Sequence, residues 1–515
     1  MSGASCGGPD TDANCSVVEE RVDVIVIGAG GAGLAAASMA ASLGRSVVLL
    51  EKNAALGGST SWSVGSVSAT STPHQLQAGI LDSPQDHWED MQKFAGPFAS
   101  RDNPSLGRVL AEGTPEMFRW LISAGLEFIG PMPEPPHRRA RMHNVLPNSR
   151  AFATRLGNLC RRQGVQIVTE ACAQQILFEN DRATIVQAST PDGIRRWRAA
   201  GGIILAGGDY SASRALKTRY ASPEAAQADP VNPTSTGEGI QLGLDCGGEV
   251  LNGDYVRGPF LRFIPPPTEG WLTKLPPWRI VTRTMRWAHD HLPSFLLRPL
   301  MMKFLTTTLA PDAGLFKAGA ALIDRNGSYL GGTPFNPHLA AAKAPEGLGY
   351  IIFNQRIATL FSAWPHFIST APGIAYAYLA DYQRTRGDIC FAAPTIEQLA
   401  LKLKIDPQRL SKSIQQHTSQ LEKNSDTQSL SIVSGPYHAL GPAKAYVVFT
   451  NGGLRVSETL EVLRPNGSAI KGLYAAGSNG QGGQLLEGHG HHLGWAFVSG
   501  RIAGRQAALQ STTES

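Results

Sequence analysis

Residues 21–27 (RVDVIVI) run without a break into Gly28-Ala29-Gly30-Gly31-Ala32-Gly33 and then into an alanine-rich stretch that ends near Gly44. No other feature restricts the chain as much. A strand that ends in a G-x-G-x-x-G turn and reopens as a helix forms a phosphate cradle. The first glycine permits the tight turn and the second lets a pyrophosphate approach the backbone. The third lets helix and strand pack closely, and the free N–H groups of the helix N-terminus meet the phosphates. Residues 45–50 (RSVVLL) read as a second strand ending on Glu51, whose carboxylate is placed to accept hydrogen bonds from ribose hydroxyls. The unit has the length of about thirty residues expected of a dinucleotide-binding βαβ fold.

The same turn serves nicotinamide dinucleotides, so the choice of ligand rests on the segment after the second strand. Glu51-Lys52-Asn-Ala-Ala-Leu-Gly57-Gly58-Ser59-Thr60-Ser61 supplies a second loop with free backbone N–H groups, suited to pyrophosphate and flavin-ring contacts. Nicotinamide domains do not usually need that loop, and the expectation is FAD. With one dinucleotide fingerprint and no iron–sulfur or haem motif, the electron donor or acceptor is left unidentified.

Further along, residues 202–205 (GIIL) return the chain to the main sheet and end on Ala206-Gly207-Gly208. Segments near 165–168, 175–178 and 184–188 are expected to form a small satellite sheet, and 68–148 reads as helical and irregular. Between 246 and 439 no nucleotide pattern recurs, and short strands (321–324, 350–353) mix with helices. The end reverts to type with Gly472-Leu-Tyr-Ala-Ala-Gly477 and a helix over about 493–508. The expected class is α/β: a Rossmann-like FAD-binding domain (21–245 and 440–510) interrupted by an α+β cap (246–439), behind a disordered tail (1–20).

A formal net charge of +5 over 515 residues, with no long basic run, speaks against nucleic acid. The six cysteines are scattered without C-x-x-C spacing, which disfavours disulfide frameworks, zinc ribbons and covalent haem. The first twenty residues lack a signal-like apolar stretch, and no window approaches a membrane span. A soluble, cytoplasmic protein is expected.

Residues 23–33, Glu51-Lys52 with Gly57-Gly58-Ser-Thr, Ala206-Gly207-Gly208, Gly452-Gly453-Leu454 and residues 472–477 together resemble the fumarate reductase and 3-ketosteroid-Δ1-dehydrogenase superfamily of FAD-dependent oxidoreductases. That resemblance implies a cap that shuts substrate against the flavin, and a last helix aimed at the flavin pyrimidine with His491, His492 and Leu493 beside the ring. Members with covalent FAD carry a histidine in the loop after the acidic strand. Here that loop is Gly57–Ser61, so non-covalent FAD is expected.

The departures bear on substrate. A histidine and an arginine that hold dicarboxylates in fumarate reductases fall at Phe449 or Thr450 and at His492, and the cap arginine has no counterpart in residues 331–338. Thr450-Asn-Gly452-Gly453-Leu454 resembles the ketosteroid dehydrogenases instead, although their tyrosine falls at Leu486. Gly490 matches the glycine whose N–H polarises the ketone. The resemblance thus implies α,β-desaturation of a cyclic or steroid-like ketone, or the reverse ene-reduction, and is nearest in kind to 3-ketosteroid-Δ1-dehydrogenase. The alternatives are a reductase of an unsaturated carboxylate and a catalytically silent redox flavoprotein. An aromatic hydroxylase is disfavoured because Gly477-Ser478 stands where those enzymes resemble Gly-Asp.

Several residues remain as candidates for the chemistry. His489-Gly490-His491-His492 lacks the helical spacing of metal sites, so no metal is expected, and its histidines read as substrate or proton-transfer groups or as plain loop residues. In residues 137–143 (HRRARMH), Arg141 and His143 resemble an Arg-x-His element at the front of the flavin; a solvated basic loop is the other reading. Tyr255 and His338 are candidate proton donors from the cap. Residues 259–311 carry Trp271, Trp278, Trp287, Phe295, Leu296, Leu297, Met301, Met302 and Phe304 among Arg279, Arg283, Arg286, Arg298 and Lys303. Such a stretch marks a membrane-surface segment, a gate for apolar substrates, or helices packed on a core.

Overall fold

A computed structural model describes residues 19–268, 270, 274–293, 296–298, 302, 306, 310–332, 335–371, 375–423, 430–432 and 434–510. Most of the expected tail, and Trp271, Phe295, Met301, Lys303 and Phe304, lie outside the described residues. Glu19 and Glu20, counted with the tail from sequence, already belong to the first strand.

That strand, β1 (Glu19–Ile27), pairs in parallel with β2 (Val47–Leu50) on one side and with the strand Gly193–Leu205 on the other. Buried on both faces, β1 and β2 read as continuous aliphatic runs rather than alternating ones. Helix α1 (Gly31–Ser42) and the C-terminal helix His491–Gln510 lie against each other, with Ala32 and Ala36 opposite Gly500 and Gly504.

The sheet has eight strands, and its backbone order is Glu461–Leu463, Ala469–Ala475, Gly193–Leu205, β1, β2, Gln166–Val168. The expected satellite sheet is absorbed into it. Gln166–Val168 pairs with β2, and Arg182–Thr190 pairs with residues 193–198 of the long strand whose residues 203–205 pair with Ala469–Ala475. One strand therefore serves both regions. Within 68–148, expected to be helical and irregular, Glu127–Met132 and Met142–Leu146 form a three-stranded antiparallel sheet with Ser66–Ser68.

A second sheet of six strands is organised around Tyr437–Val447, with Leu348–Asn354 and Ala321–Asp324 beyond it. The hydrophobic cores divide accordingly: one draws on residues from Val22 to Leu242 and from Leu454 to Ala508, the other on residues from Leu261 to Ala445. Position 440 falls inside the strand Tyr437–Val447, around which this sheet is organised. Two short ladders join the units, Val250–Leu251 with Gly453–Leu454 and Val256–Arg257 with Phe449–Thr450.

Cys160, Cys246 and Cys390 are free thiols, whereas Cys172 is disulfide-bonded, although the scattered spacing disfavours a disulfide framework. Among the described residues, no helix is long and apolar enough to cross a membrane.

Candidate functional site

Where β1 ends, a crevice opens over α1. Its floor is the sequence-predicted cradle: Gly28, Gly30, Gly31 and Ala32, then Glu51 and Lys52, Gly58 to Thr60, Ala206 to Gly208, and Gly477 line it. The turn is stitched to the second loop, because Gly57 N–H donates to Ala29 O at 2.9 Å and Gly31 N–H to Thr60 Oγ1 at 3.0 Å. Gly33 lies beneath the crevice. A Cβ there would sit 1.8 Å from Gly28 O, so no other residue lets the helix meet the turn.

Ala29, Gly57, Ser61, His492 and Leu493 do not line the crevice. Ala29 N–H instead donates to Glu51 Oε2 at 2.8 Å, and Asn53 N–H to Glu51 Oε1 at 2.9 Å. This fixes a buried carboxylate at the end of β2, where a ribose would lie. Lys52 is held by Glu238 at 2.9 Å. Asn232, Ser235, Glu238 and Ala496 also line the crevice and were not foreseen, since isolated polar residues in loops leave no periodic signal.

The residues fit FAD on a further ground. Asn451 Nδ2, Asn479 Nδ2, Gln481 Oε1 and both amide atoms of Gln484 are buried without a partner, as is His492 Nε2. Unmet polar groups at such density need a polar guest. They come from residue 451 and from 479–492, next to the late segments that carry the family resemblance.

In front of these segments runs the ladder between the two cores. Tyr255 donates its hydroxyl to Glu487 Oε1 at 3.0 Å, and Arg257 forms an ion pair with the same carboxylate. Arg257 is registered opposite Phe449, whose ring lies 4.0 Å from that of His492. Burial, and then the Glu487 charge, push the Tyr255 phenol above its ordinary range. Burial, followed by the charges of His491 and Arg257, pushes His492 down to about 3, so this imidazole stays neutral. Glu487 and Arg257 were missed from sequence. The one available signal was a lone acid in an otherwise uncharged glycine-rich loop, which demands a cation when buried.

The loop that bears Glu487 is clamped from outside. Glu134 accepts the His489 N–H at 2.9 Å and pairs with the His489 ring, and Ser68 Oγ donates to His489 O at 2.7 Å. Gly490, at φ +89°, sits so close to Ser68 that a Cβ would come within 2.4 Å of its backbone nitrogen.

Other predicted residues are placed elsewhere. Arg141 is wholly buried between Asp82 at 2.7 Å and Asp90 at 2.6 Å, leaving it no surface for substrate or flavin. His143 is equally buried, bonded to Thr72 and packed on Phe118; burial takes it down to about 3. His338 accepts the Leu261 N–H at 2.9 Å inside the cap and is separated from Arg257 by Phe260. The Arg-x-His element is thus an internal brace.

His491 also turns inward, and its ring meets those of His87 and His137 with their ligand atoms within 4.8 Å of one another. The proton arrangement works against a metal there. Arg141 donates to His137 Nδ1 at 2.8 Å, which puts the His137 proton on Nε2, and His491 Nδ1–H donates to Glu487 O. At most two lone pairs remain, whereas zinc takes at least three protein ligands.

Residues 23–268 and 319–485 match the family model described as FAD binding domain. NADH:acrylate oxidoreductase of Vibrio harveyi is 24% identical, over 95% of this chain and 51% of that protein. The chain spans about half the length of the curated relatives it first matches. A flavocytochrome c3 fumarate reductase in its open conformation superposes with a TM-score of 0.71 at 20% identity, over 96% of this chain and 79% of that one. The 3-ketosteroid delta1-dehydrogenase from Sterolibacterium denitrificans, in complex with 1,4-androstadiene-3,17-dione, gives 0.64 at 16%, over 95% and 100%. The fold is shared with both.

Proposed function

The chain belongs to the FAD binding domain family, and from that premise we propose that it is an FAD-dependent oxidoreductase that reduces the carbon–carbon double bond of a neutral, cyclic or steroid-like enone. The observation that carries this reading is the state of the arginines. Arg257 is matched by Glu487, Arg101 by Asp254, and Arg141 by Asp82 and Asp90. His492, at the position where fumarate reductases resemble arginine, is uncharged. Among these arginines a substrate carboxylate would have to break an existing ion pair to find a cation, whereas a ketone needs only hydrogen-bond donors.

When bound, FAD supplies hydride exchange with the carbon β to the ketone. The chain supplies the rest. His492 and the Gly490 N–H polarise the ketone oxygen, and Tyr255 delivers a proton to the α-carbon. Held as a neutral phenol beside a carboxylate, Tyr255 is a proton donor rather than a base. Reduction starts from the protonated Tyr255, and desaturation is the same step run backwards from its conjugate base.

The test is anaerobic reoxidation of the dithionite-reduced holoenzyme by a cyclic enone, a steroid enone and fumarate, followed by flavin absorbance. Enones are expected to restore the oxidised spectrum and fumarate to leave it bleached. In Glu487→Gln, where Arg257 is released, carboxylated alkenes should gain relative to enones. Rapid reoxidation of the unaltered enzyme by fumarate or acrylate, with none by enones, would replace this reading with an unsaturated-acid reductase. Reoxidation by none of them would favour a silent flavoprotein.

A further inference from the structure

The helix Arg279–His291 turns its largest apolar side chains to water. Ile280 is 74% exposed and Trp287 is 55% exposed. Seven residues apart, they share one stripe two turns long, with Arg283 between them. Trp278, at the N-cap, is 65% exposed, and the one fully buried residue of the helix is Thr282.

The helix is nevertheless anchored. It rests on the strand Glu127–Met132, with Arg286 3.4 Å from Glu127, and Arg155 donates to Pro277 O just before it starts. Core packing, one of the sequence readings of this stretch, does not explain a helix that buries a threonine and displays tryptophan and isoleucine.

The charge around this stripe is positive. Arg279 is exposed and has no carboxylate within ion-pair distance among the described residues; Arg283 is only 4.0 Å from Glu127 and projects into solvent. Arg155 lies within the electrostatic reach of both Arg279 and Arg162. Indole rings at the level of lipid headgroups, with arginines reaching phosphate, are the arrangement of an interfacial helix. An apolar protein partner would leave these cations unmatched.

We infer that the outer face of the helix Arg279–His291 docks on an anionic lipid surface through Trp278, Ile280 and Trp287, with Arg279 and Arg283 on lipid phosphates. The inference is independent of the reaction proposed above. The apolar side chains enter the headgroup layer while the inner face stays on the protein, so attachment is peripheral and salt-sensitive.

Flavin-loaded full-length protein sedimented with vesicles of phosphatidylcholine, or of phosphatidylcholine mixed with phosphatidylglycerol, decides the matter. Binding to the mixed vesicles, weakened by salt, is expected. The triple variant Trp278→Ser, Ile280→Ser, Trp287→Ser should lower partitioning at least about tenfold while keeping flavin content and thermal stability. Arg279→Glu with Arg283→Glu should abolish the preference for the anionic vesicles. Failure to bind either vesicle overturns the inference, as does undiminished binding of the triple variant. Concentration-dependent dimerisation lost in the triple variant, without vesicle binding, would assign the face to a second copy of the chain.

Discussion

Two carboxylates grip Arg141 where the sequence offered only an Arg-x-His pattern. Burial works to raise the Asp82 pKa, yet hydrogen bonds from Arg141 and Gln75 and the Arg141 charge hold it below the ordinary carboxylate range. Arg141→Met would strand Asp82 and Asp90 in the interior, and a cost of about 3–5 kcal/mol is expected. Urea denaturation should report that loss, while the KM of the folded fraction stays unchanged. A raised KM with unaltered stability would return Arg141 to the substrate site. Sequence could not separate these roles, because Arg141 and its partners Asp82 and Asp90 lie more than fifty residues apart. The opposite holds for Gly28, Gly30 and Glu51, whose positions at the crevice follow from contacts within one βαβ unit and were legible at once.

At the scale of elements, the C-terminal helix was legible in type and nearly in length, since its start follows a glycine-rich loop and its glycines and alanines match those of α1. The surroundings of its N-terminus were not. His87, His137 and His143 converge behind or beside it from three segments, and with His491 and His492 all are held below their ordinary pKa, chiefly by burial. An imidazole that is neutral when folded but titrates near about 6.5 when unfolded makes the unfolded chain bind more protons in acid. Stability is then full above that pH and falls below it, by up to about 1.4 kcal/mol per pH unit for each histidine. Thermal unfolding of the holoenzyme should show Tm dropping already between about pH 6.5 and about pH 5, before most carboxylates protonate. A flat Tm across that interval would mean that these rings are solvated or charged in the folded protein. The strands Glu127–Met132 and Met142–Leu146 escaped notice for a different reason: proline and glycine punctuate the first, and basic residues precede the second, so both resemble loops.

For the molecule as a whole, the nucleotide-binding patterns stop and resume on either side of the residues that build the second core. Its edge was obscured by Gly441-Pro442, which reads as a turn although the strand Tyr437–Val447 passes through it, opposite a register shift in Leu348–Asn354. That strand pairs with Asp229–Pro230, Phe260–Phe263, Leu348–Asn354 and Cys390–Ala393. It is the member on which the second core depends. A fragment spanning residues 246–439 would lose most of it, together with Asp229–Pro230, and leave three strands without a common neighbour, whereas one spanning residues 225–450 keeps every pairing. The longer fragment should unfold cooperatively by near-UV circular dichroism and the 246–439 fragment should show no such transition; equal behaviour of the two would mean that the second core forms without its central strand. Neither fragment should turn over an enone. Tyr255, Arg257 and Phe449 come from the ladder that joins the cores, while Glu487 and His492 come from the flavin unit. Each ladder residue is therefore placed by one core and completed by the other, which makes the fit between the two units, rather than either alone, the carrier of the proposed chemistry.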